Sequence, residues 1–329
     1  MVAPSLDREG RAASPRIPLV PMRLIRVLSA LAGSLFVFFG VAQAQVLVTE
    51  SPDLSPLGYS SDYGVTVAGL GDDADSGVAD ILVGQPLPHA VAAFLRDGRT
   101  GAVLHKFTSL HGSGSTVNRF GSAVAALPDV TGDGRDDILI GGWKESVPGG
   151  GATGRVYVYE RPAAGGVPTL LHELTPPSGS NLYDFGCDIA GLEDVDGDGF
   201  GDVLVGQRGH LYSSIPYPGH AFLYSGKTGA LLHTFDHPDA ASLVSTIQFG
   251  EQVAAVPDVD GDGLEDVAVS GYGMAGDFGV GTKDRGVCVF SSATGALVRK
   301  LDPADPWTGS FGRGLAGIED LNGDGRGEL

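Results

Sequence analysis

The feature that most constrains this chain is a unit repeated along it at intervals of 57 to 65 residues. Each unit opens on an aromatic-Gly pair, passes through an apolar stretch into a short acidic loop, and leaves by a second apolar stretch. The pairs are Tyr63-Gly64, Phe120-Gly121, Phe185-Gly186, Phe249-Gly250 and Phe311-Gly312; the first four segments run to Gly84, Gly141, Gly206 and Gly271. A repeat of this length is one supersecondary unit that buries its apolar surface against its neighbours. Between segments a second pattern recurs. Phe94-Leu95, Val156–Tyr159, Phe222–Tyr224 and Val287–Phe290 each lead through a turn to Val103-Leu104, Leu170-Leu171, Leu231-Leu232 and Leu297-Val298. β-Branched and aromatic residues between closely spaced glycine turns read as strands rather than helices. Four strands per period is the content of one propeller blade, so the fold class is all-β.

The acidic loops carry the chemistry. They read Asp129-Val-Thr-Gly-Asp-Gly-Arg-Asp-Asp137, Asp194-Val-Asp-Gly-Asp-Gly-Phe-Gly-Asp202, Asp258-Val-Asp-Gly-Asp-Gly-Leu-Glu-Asp266 and Asp320-Leu-Asn-Gly-Asp-Gly-Arg-Gly-Glu328. Glycines at the fourth and sixth positions allow a tight curl that brings oxygens at the first, third and fifth positions together. The seventh position can then offer a carbonyl, and an acid at the ninth closes the shell. Calcium takes six to eight hard oxygens in a flexible geometry, whereas magnesium demands an octahedron and retains water. Without a cation, carboxylates this close repel one another. The expectation is therefore calcium at three to four sites. In the first unit, the loop from Asp72 to Asp80 has Ala74 and Ser76 where acids stand elsewhere, which predicts weak binding or none. An EF-hand needs a glutamate at the twelfth position, where these loops carry Ile140, Val205 and Val269, so that reading is excluded.

Charge narrows the partners. The chain has 21 basic and 40 acidic residues, a formal −19, the wrong sign for nucleic acid or an anionic membrane surface. Cys187 and Cys288 lie in no metal or redox motif and read as small core residues, with a disulfide between them left open. His105, His172 and His233 share one repeat position and read as solvent-facing. No catalytic constellation is present: there is no G-x-S-x-G elbow and no H-E-x-x-H. Gly226-Lys227-Thr228 lacks the upstream glycine of a phosphate-binding loop.

Taken together, aromatic-Gly, apolar strand, D-x-D-x-D-G-x-x-D loop and a strand ending at glycine resemble the FG-GAP repeat of integrin α-subunit propellers, over roughly residues 45–329. The resemblance implies a seven-bladed propeller with calcium in the hairpin between the first two strands of a blade, on its lower face. It implies as ligands Asp129, Thr131, Asp133 and Asp137; Asp194, Asp196, Asp198 and Asp202; and Asp258, Asp260, Asp262 and Asp266. Carbonyls would come from Arg135, Phe200 and Leu264. The loop with Asp320, Asn322, Asp324, Arg326 and Glu328 matches the same pattern, while Asp72, Ser76 and Asp80 match it poorly. Seven blades at this period need more residues than the chain has. The expectation is an incomplete propeller of about four blades and the start of a fifth, reflecting either a truncated sequence or an open ring.

At the front, Arg23 and Arg26 precede an apolar run from Val27 to Val41 and the sequence Ala42-Gln43-Ala44. That is the pattern of a secretory signal peptide over residues 1–44, with Met22 as an alternative start. The apolar run is too short to favour a membrane span. The expected function is that of an exported interaction, adhesion or scaffold module with structural calcium. Its partner, a protein or carbohydrate, would sit on upper-face loops at 143–152 and 207–219. The alternative is the non-catalytic propeller part of a secreted hydrolase or lyase whose catalytic region lies outside this chain.

Overall fold

The computed structural model describes residues 64–71, 78–86, 91–111, 119–145, 153–163, 165–178, 183–212, 215–240, 248–271, 286–303, 311–318, 320–323 and 326–329, with backbone alone over 210–212 and 215–218. The expected signal peptide, Tyr63, Asp72, Ser76 and Asp324 lie outside these residues. Among the described residues there are sixteen strands in four antiparallel sheets, each an up-and-down meander of four consecutive strands. The first sheet holds β1 (Val67–Gly69), β2 (Ile81–Gln85), β3 (Ala92–Arg96) and β4 (Val103–Thr108). The second holds β5 (Phe120–Leu127), β6 (Asp137–Gly142), β7 (Arg155–Glu160) and β8 (Thr169–Leu174). The third holds β9 (Phe185–Leu192), β10 (Asp202–Tyr212), β11 (Ile215–Ser225) and β12 (Leu231–Asp236). The fourth holds β13 (Val253–Val256), β14 (Asp266–Gly271), β15 (Gly286–Phe290) and β16 (Leu297–Leu301). These are the blades of a partial β-propeller.

The core lies between sheets. Leu139 and Val158 of the second sheet pack with Ile189 and Phe222 of the third. Leu204 and Phe235 meet Val267 and Phe290 of the fourth, and Leu82 and Phe107 meet Ile140 and Tyr157. Strands covered on both faces read as unbroken apolar runs: β2, β6, β14 and β15 are buried throughout. The last strand of each sheet is partly exposed, as β4 and β12 are. Beyond the fourth sheet, Phe311 and Leu315 pack against it, and Ile318 and Glu328 exchange two backbone hydrogen bonds of 2.8 Å.

The repeated glycines are the joints between blades. Gly121, Gly186 and Gly250 have φ near +80° and turn their carbonyls onto the glycine near the end of the preceding sheet's second strand. A Cβ on Gly84 would stand 2.1 Å from the Gly121 oxygen, one on Gly141 2.6 Å from that of Gly186, and one on Gly206 2.3 Å from that of Gly250. In the fourth sheet the equivalent position is Ser270, which faces Gly312, so the contact falls one residue before the expected Gly271.

Two expectations need correction. The segment 207–219 is not a loop: β10 and β11 stay paired out to Tyr212 and Ile215 as a ribbon beyond the blade, consistent with the strand-forming residues Leu211, Tyr212, Ile215 and Tyr217. Nor do the repeat-position histidines simply face solvent. His172 is half-buried and donates from Nε2 to the Lys227 carbonyl at 3.0 Å, its ring against Gly229 of the next sheet's turn. The His233 ring likewise lies against Gly295, and His105 packs edge-on against Phe107. Both cysteines are free thiols on different sheets, Cys187 on β9 and buried Cys288 on β15.

If the glycine joints set blade spacing, Gly206→Ala should destabilise the fold by about 2–3 kcal/mol through a backbone clash that cannot relax. Gly314→Ala, with nothing within 4 Å of the added carbon, should change the unfolding free energy read by denaturant titration by less than about 0.5 kcal/mol.

Candidate metal centre

In each of the four sheets the acidic loop joins the first and second strands, the place the family resemblance implies. Glycines at the fourth and sixth positions adopt φ of 80–93° at Gly132, Gly134, Gly197, Gly199, Gly261 and Gly263. This left-handed curl turns the loop's N–H groups inward onto the first aspartate. Asp194 Oδ1 accepts from Gly197 N at 2.7 Å and Oδ2 from Gly199 N at 2.7 Å. Asp258 repeats this with Gly261 N at 2.5 Å and Gly263 N at 2.8 Å. Asp129 accepts from Thr131, Gly132 and Gly134. Burial pushes its carboxyl up, but these backbone donors outweigh that and hold it below its ordinary value.

The ninth residue has a separate task in every sheet. Asp137 Oδ2 accepts from Val130 N at 2.9 Å and Oδ1 from Arg161 N at 2.8 Å. Asp202 holds Val195 N and Gly226 N, and Asp266 holds Val259 N and Ser292 N. The carboxylate thus ties the acidic loop to the turn between the third and fourth strands of the same sheet. Asp80 does this even in the first unit, accepting from Gly98 N at 3.3 Å. Glu328 accepts from Leu321 N at 2.7 Å and from Asn322 Nδ2 at 2.7 Å. Asp137, Asp202 and Asp266 are wholly buried. Burial, aided by neighbouring acids and opposed by the backbone donors, raises Asp137 and Asp202 to about 6 and also raises Asp266.

Two loops assemble a cation-sized set of oxygens. Carboxylate oxygens of Asp194, Asp196 and Asp202 lie within 4.8 Å of one another, as do those of Asp258, Asp260 and Asp262. Oxygens at that separation can share one ion with bonds of about 2.3–2.6 Å, and an all-oxygen carboxylate set fits calcium. Asp198 lies in the same curl, its Oδ1 accepting from Phe200 N at 3.1 Å, as Asp262 Oδ1 does from Leu264 N at 2.9 Å. In the loop at 129, Asp133 is instead ion-paired with Arg135, whose Nε donates to the Arg161 carbonyl. In the last loop, Asp320 accepts from Gly323 N, and Arg326 reaches back to the Val259 carbonyl at 3.2 Å.

The first unit shows a feature with no signal in the loop motif. Asp80 Oδ2 is paired at 2.9 Å with Arg161 Nη2, both side chains buried, and Arg161 Nη1 donates to the Gly71 carbonyl at 2.8 Å. A guanidinium from the second sheet thus supplies positive charge beside the loop that lacks acids at its third and fifth positions. The residues equivalent to Arg161 by their shared bond to the ninth acid are Gly226 and Ser292. Asp188 was also missed. It accepts from Val253 N of the next sheet at 2.9 Å, and burial raises it to about 7.

These raised acids set a pH signature. Between their ordinary value of 3.8 and about 6 to 7, folded Asp137, Asp202 and Asp188 hold protons that the unfolded chain has released. Their contribution to stability therefore falls as pH rises through that window. The metal-free protein should melt at a higher temperature at pH 5 than at pH 7. Calcium, which needs ionised ligands, should reverse that order; a metal-free protein that gains stability from pH 5 to 7 contradicts the assignment. Replacing Arg161 by Leu strands the buried Asp80 carboxylate and should remove about 3–5 kcal/mol of stability, read by denaturant titration.

A family model described as FG-GAP repeat matches residues 120–159, the segment from β5 through most of β7 that contains the loop at 129. Integrin alpha-4 of Xenopus laevis is 36% identical over 159 residues, covering 46% of this chain and 14% of that protein. Integrin alpha-3 of Cricetulus griseus is 31% identical over 204 residues, 57% of this chain and 17% of that protein. Integrin alpha-IIb of Homo sapiens is 33% identical over 162 residues, 47% and 15% respectively. The aligned part of the chain spans less than a fifth of the length of these relatives. A rhamnogalacturonan lyase of Bacillus licheniformis is 14% identical with a TM-score of 0.40, over 80% of this chain and 56% of that one, a likeness too loose to bear on function. The matched segment coincides with a sheet whose loop geometry recurs in its neighbours, so the chain carries an FG-GAP repeat at 120–159 and is similar, over about half its length, to integrin α-subunits.

Proposed function

We propose that the chain is an exported propeller module for interaction, adhesion or scaffolding, stiffened by structural calcium at its lower end and presenting its upper end to a partner. The observation that carries this reading is the convergence of Asp194, Asp196 and Asp202, and of Asp258, Asp260 and Asp262, within 4.8 Å. Both clusters sit in hairpins whose loops have little apolar content of their own. A divalent ion there offsets the repulsion among the carboxylates and fixes a turn that would otherwise fray. The sites at 194 and 258 are the strongest candidates, and those at 129 and 320 the weaker ones.

Export is proposed from the pattern at residues 1–44, and the extracellular calcium that such a module would meet is consistent with it. Among the described residues no helix is long and apolar enough to cross a membrane. The non-catalytic role is supported by the absence of a recognised catalytic motif in the sequence and by the integrin relatives.

At a calcium concentration about ten times a site's dissociation constant, each site adds about 1.4 kcal/mol. Melting of the purified chain should therefore rise with calcium and fall with chelator. Asp196→Ala and Asp260→Ala should each remove one site's share. Identical melting curves with calcium and with chelator contradict the proposal.

A further inference from the structure

The lower end gathers carboxylates, while the upper end, at the joint between the second and third sheets, gathers cations. Arg119, Lys144 and Arg208 lie 5.5, 4.6 and 5.3 Å from the ring centre of half-buried Trp143. Three cations around one indole repel one another unless negative charge answers them. One is answered: Asp184 accepts from Arg208 Nε at 3.1 Å and Nη2 at 2.8 Å, and Glu251 stands 3.7 Å from Nη1. Arg119 and Lys144 have no ion-pair partner among the described residues, and Arg119 Nε is buried without an acceptor.

The backbone adds an independent observation. Among the described residues, Arg119 (φ 59°) and Asp184 (φ 61°) are the two non-glycine positions with positive φ. Each directly precedes the aromatic-Gly pair of its sheet. Such conformations cost about 1–2 kcal/mol apiece and concentrate at functional sites. Here they place Arg119 against Trp143 and the carboxylate of Asp184 against Arg208, which itself packs on the same indole.

We propose that this cluster is a recognition site for a single carboxylate, an aspartate or glutamate side chain of a protein partner. The proposal rests on the reading of the upper end as the partner surface and names the chemistry recognised there. A guanidinium and an ammonium without counter-ions among the described residues suit a carboxylate, the guanidinium by paired hydrogen bonds. A polyanion fits less well, because Asp184 and Glu251 flank the site and the whole chain carries −19. A uronate sugar would want the indole face for stacking, and the cations already occupy that space.

The sequence contains two tryptophans, Trp143 and Trp307, so Trp307→Phe leaves Trp143 as the only indole reporter. In that background the calcium-loaded full chain is titrated at low salt with capped Gly-Glu-Gly, capped Gly-Gln-Gly and trigalacturonate. The Glu peptide should give a saturable change in emission at roughly millimolar concentration, and the Gln peptide none. Arg119→Gln with Lys144→Gln should weaken the response at least about tenfold with melting temperature retained; if that pair unfolds the chain, Lys144→Gln alone should still weaken it measurably. Equal responses to the Glu and Gln peptides, no saturable response, an unaffected variant, or tighter binding of trigalacturonate each overturn the proposal. A flat titration in a protein that calcium does stabilise removes this site and leaves the calcium reading intact. Binding in a protein indifferent to calcium does the reverse.

Discussion

The structure turns on one repeated interaction, the buried carboxylate at the ninth loop position of the four sheets. In the second to fourth sheets its two oxygens accept backbone N–H groups from two different turns, as Asp202 does from Val195 and Gly226. A single side chain thereby fastens the first hairpin of a sheet to its second. The acid persists as Asp80 in the unit whose third and fifth loop positions are Ala74 and Ser76, so its role does not depend on those neighbours. Fixing this buried negative charge creates the problem the rest of each loop must solve.

Two solutions lie side by side. In the first unit, Arg161 from the adjacent sheet delivers a guanidinium to Asp80 and Gly71. At Gly226 and Ser292, the equivalent positions, no charged side chain exists, and the loops at 129 and 194 that precede these sheets bring acids at further positions. A buried acid beside one arginine is compensated within the chain, whereas for the three clustered acids we propose a charge from outside it. The proposed calcium dependence of the later blades and the self-contained ion pair of the first follow from the same electrostatic requirement. Arg135 lies between these cases, pairing with Asp133 inside its own loop.

Much of the fold was legible because its rules are local. The unbroken apolar run of β6 marks a strand covered on both faces, and the glycine pair at Gly141 and Gly186 marks a contact too close for any Cβ. The curl of the loops follows from glycines at fixed positions. What the sequence hid were contacts between repeats. Arg161 carries no local motif, and its partner Asp80 lies 81 residues away. Asp188 lies in a strand whose neighbours give no reason for an acid until Val253 of the next sheet supplies an unpaired N–H. The shared repeat position of the histidines does not reveal that His172 and His233 lie against Gly229 and Gly295, the turns of the following sheets. The ribbon formed by β10 and β11 beyond the blade has no counterpart in the repeat pattern, so the repeats do not mark 207–219 as paired strands.

The central claim is that clustered carboxylates in the later blades stand together only around a divalent cation. Calorimetric titration of the chelator-stripped full chain with calcium tests it most directly. The account predicts at least two ions per chain, one for each assembled acid cluster, with one lost in a variant disabled at either loop. Heat no greater than dilution, in a chain that is folded by circular dichroism, would contradict it.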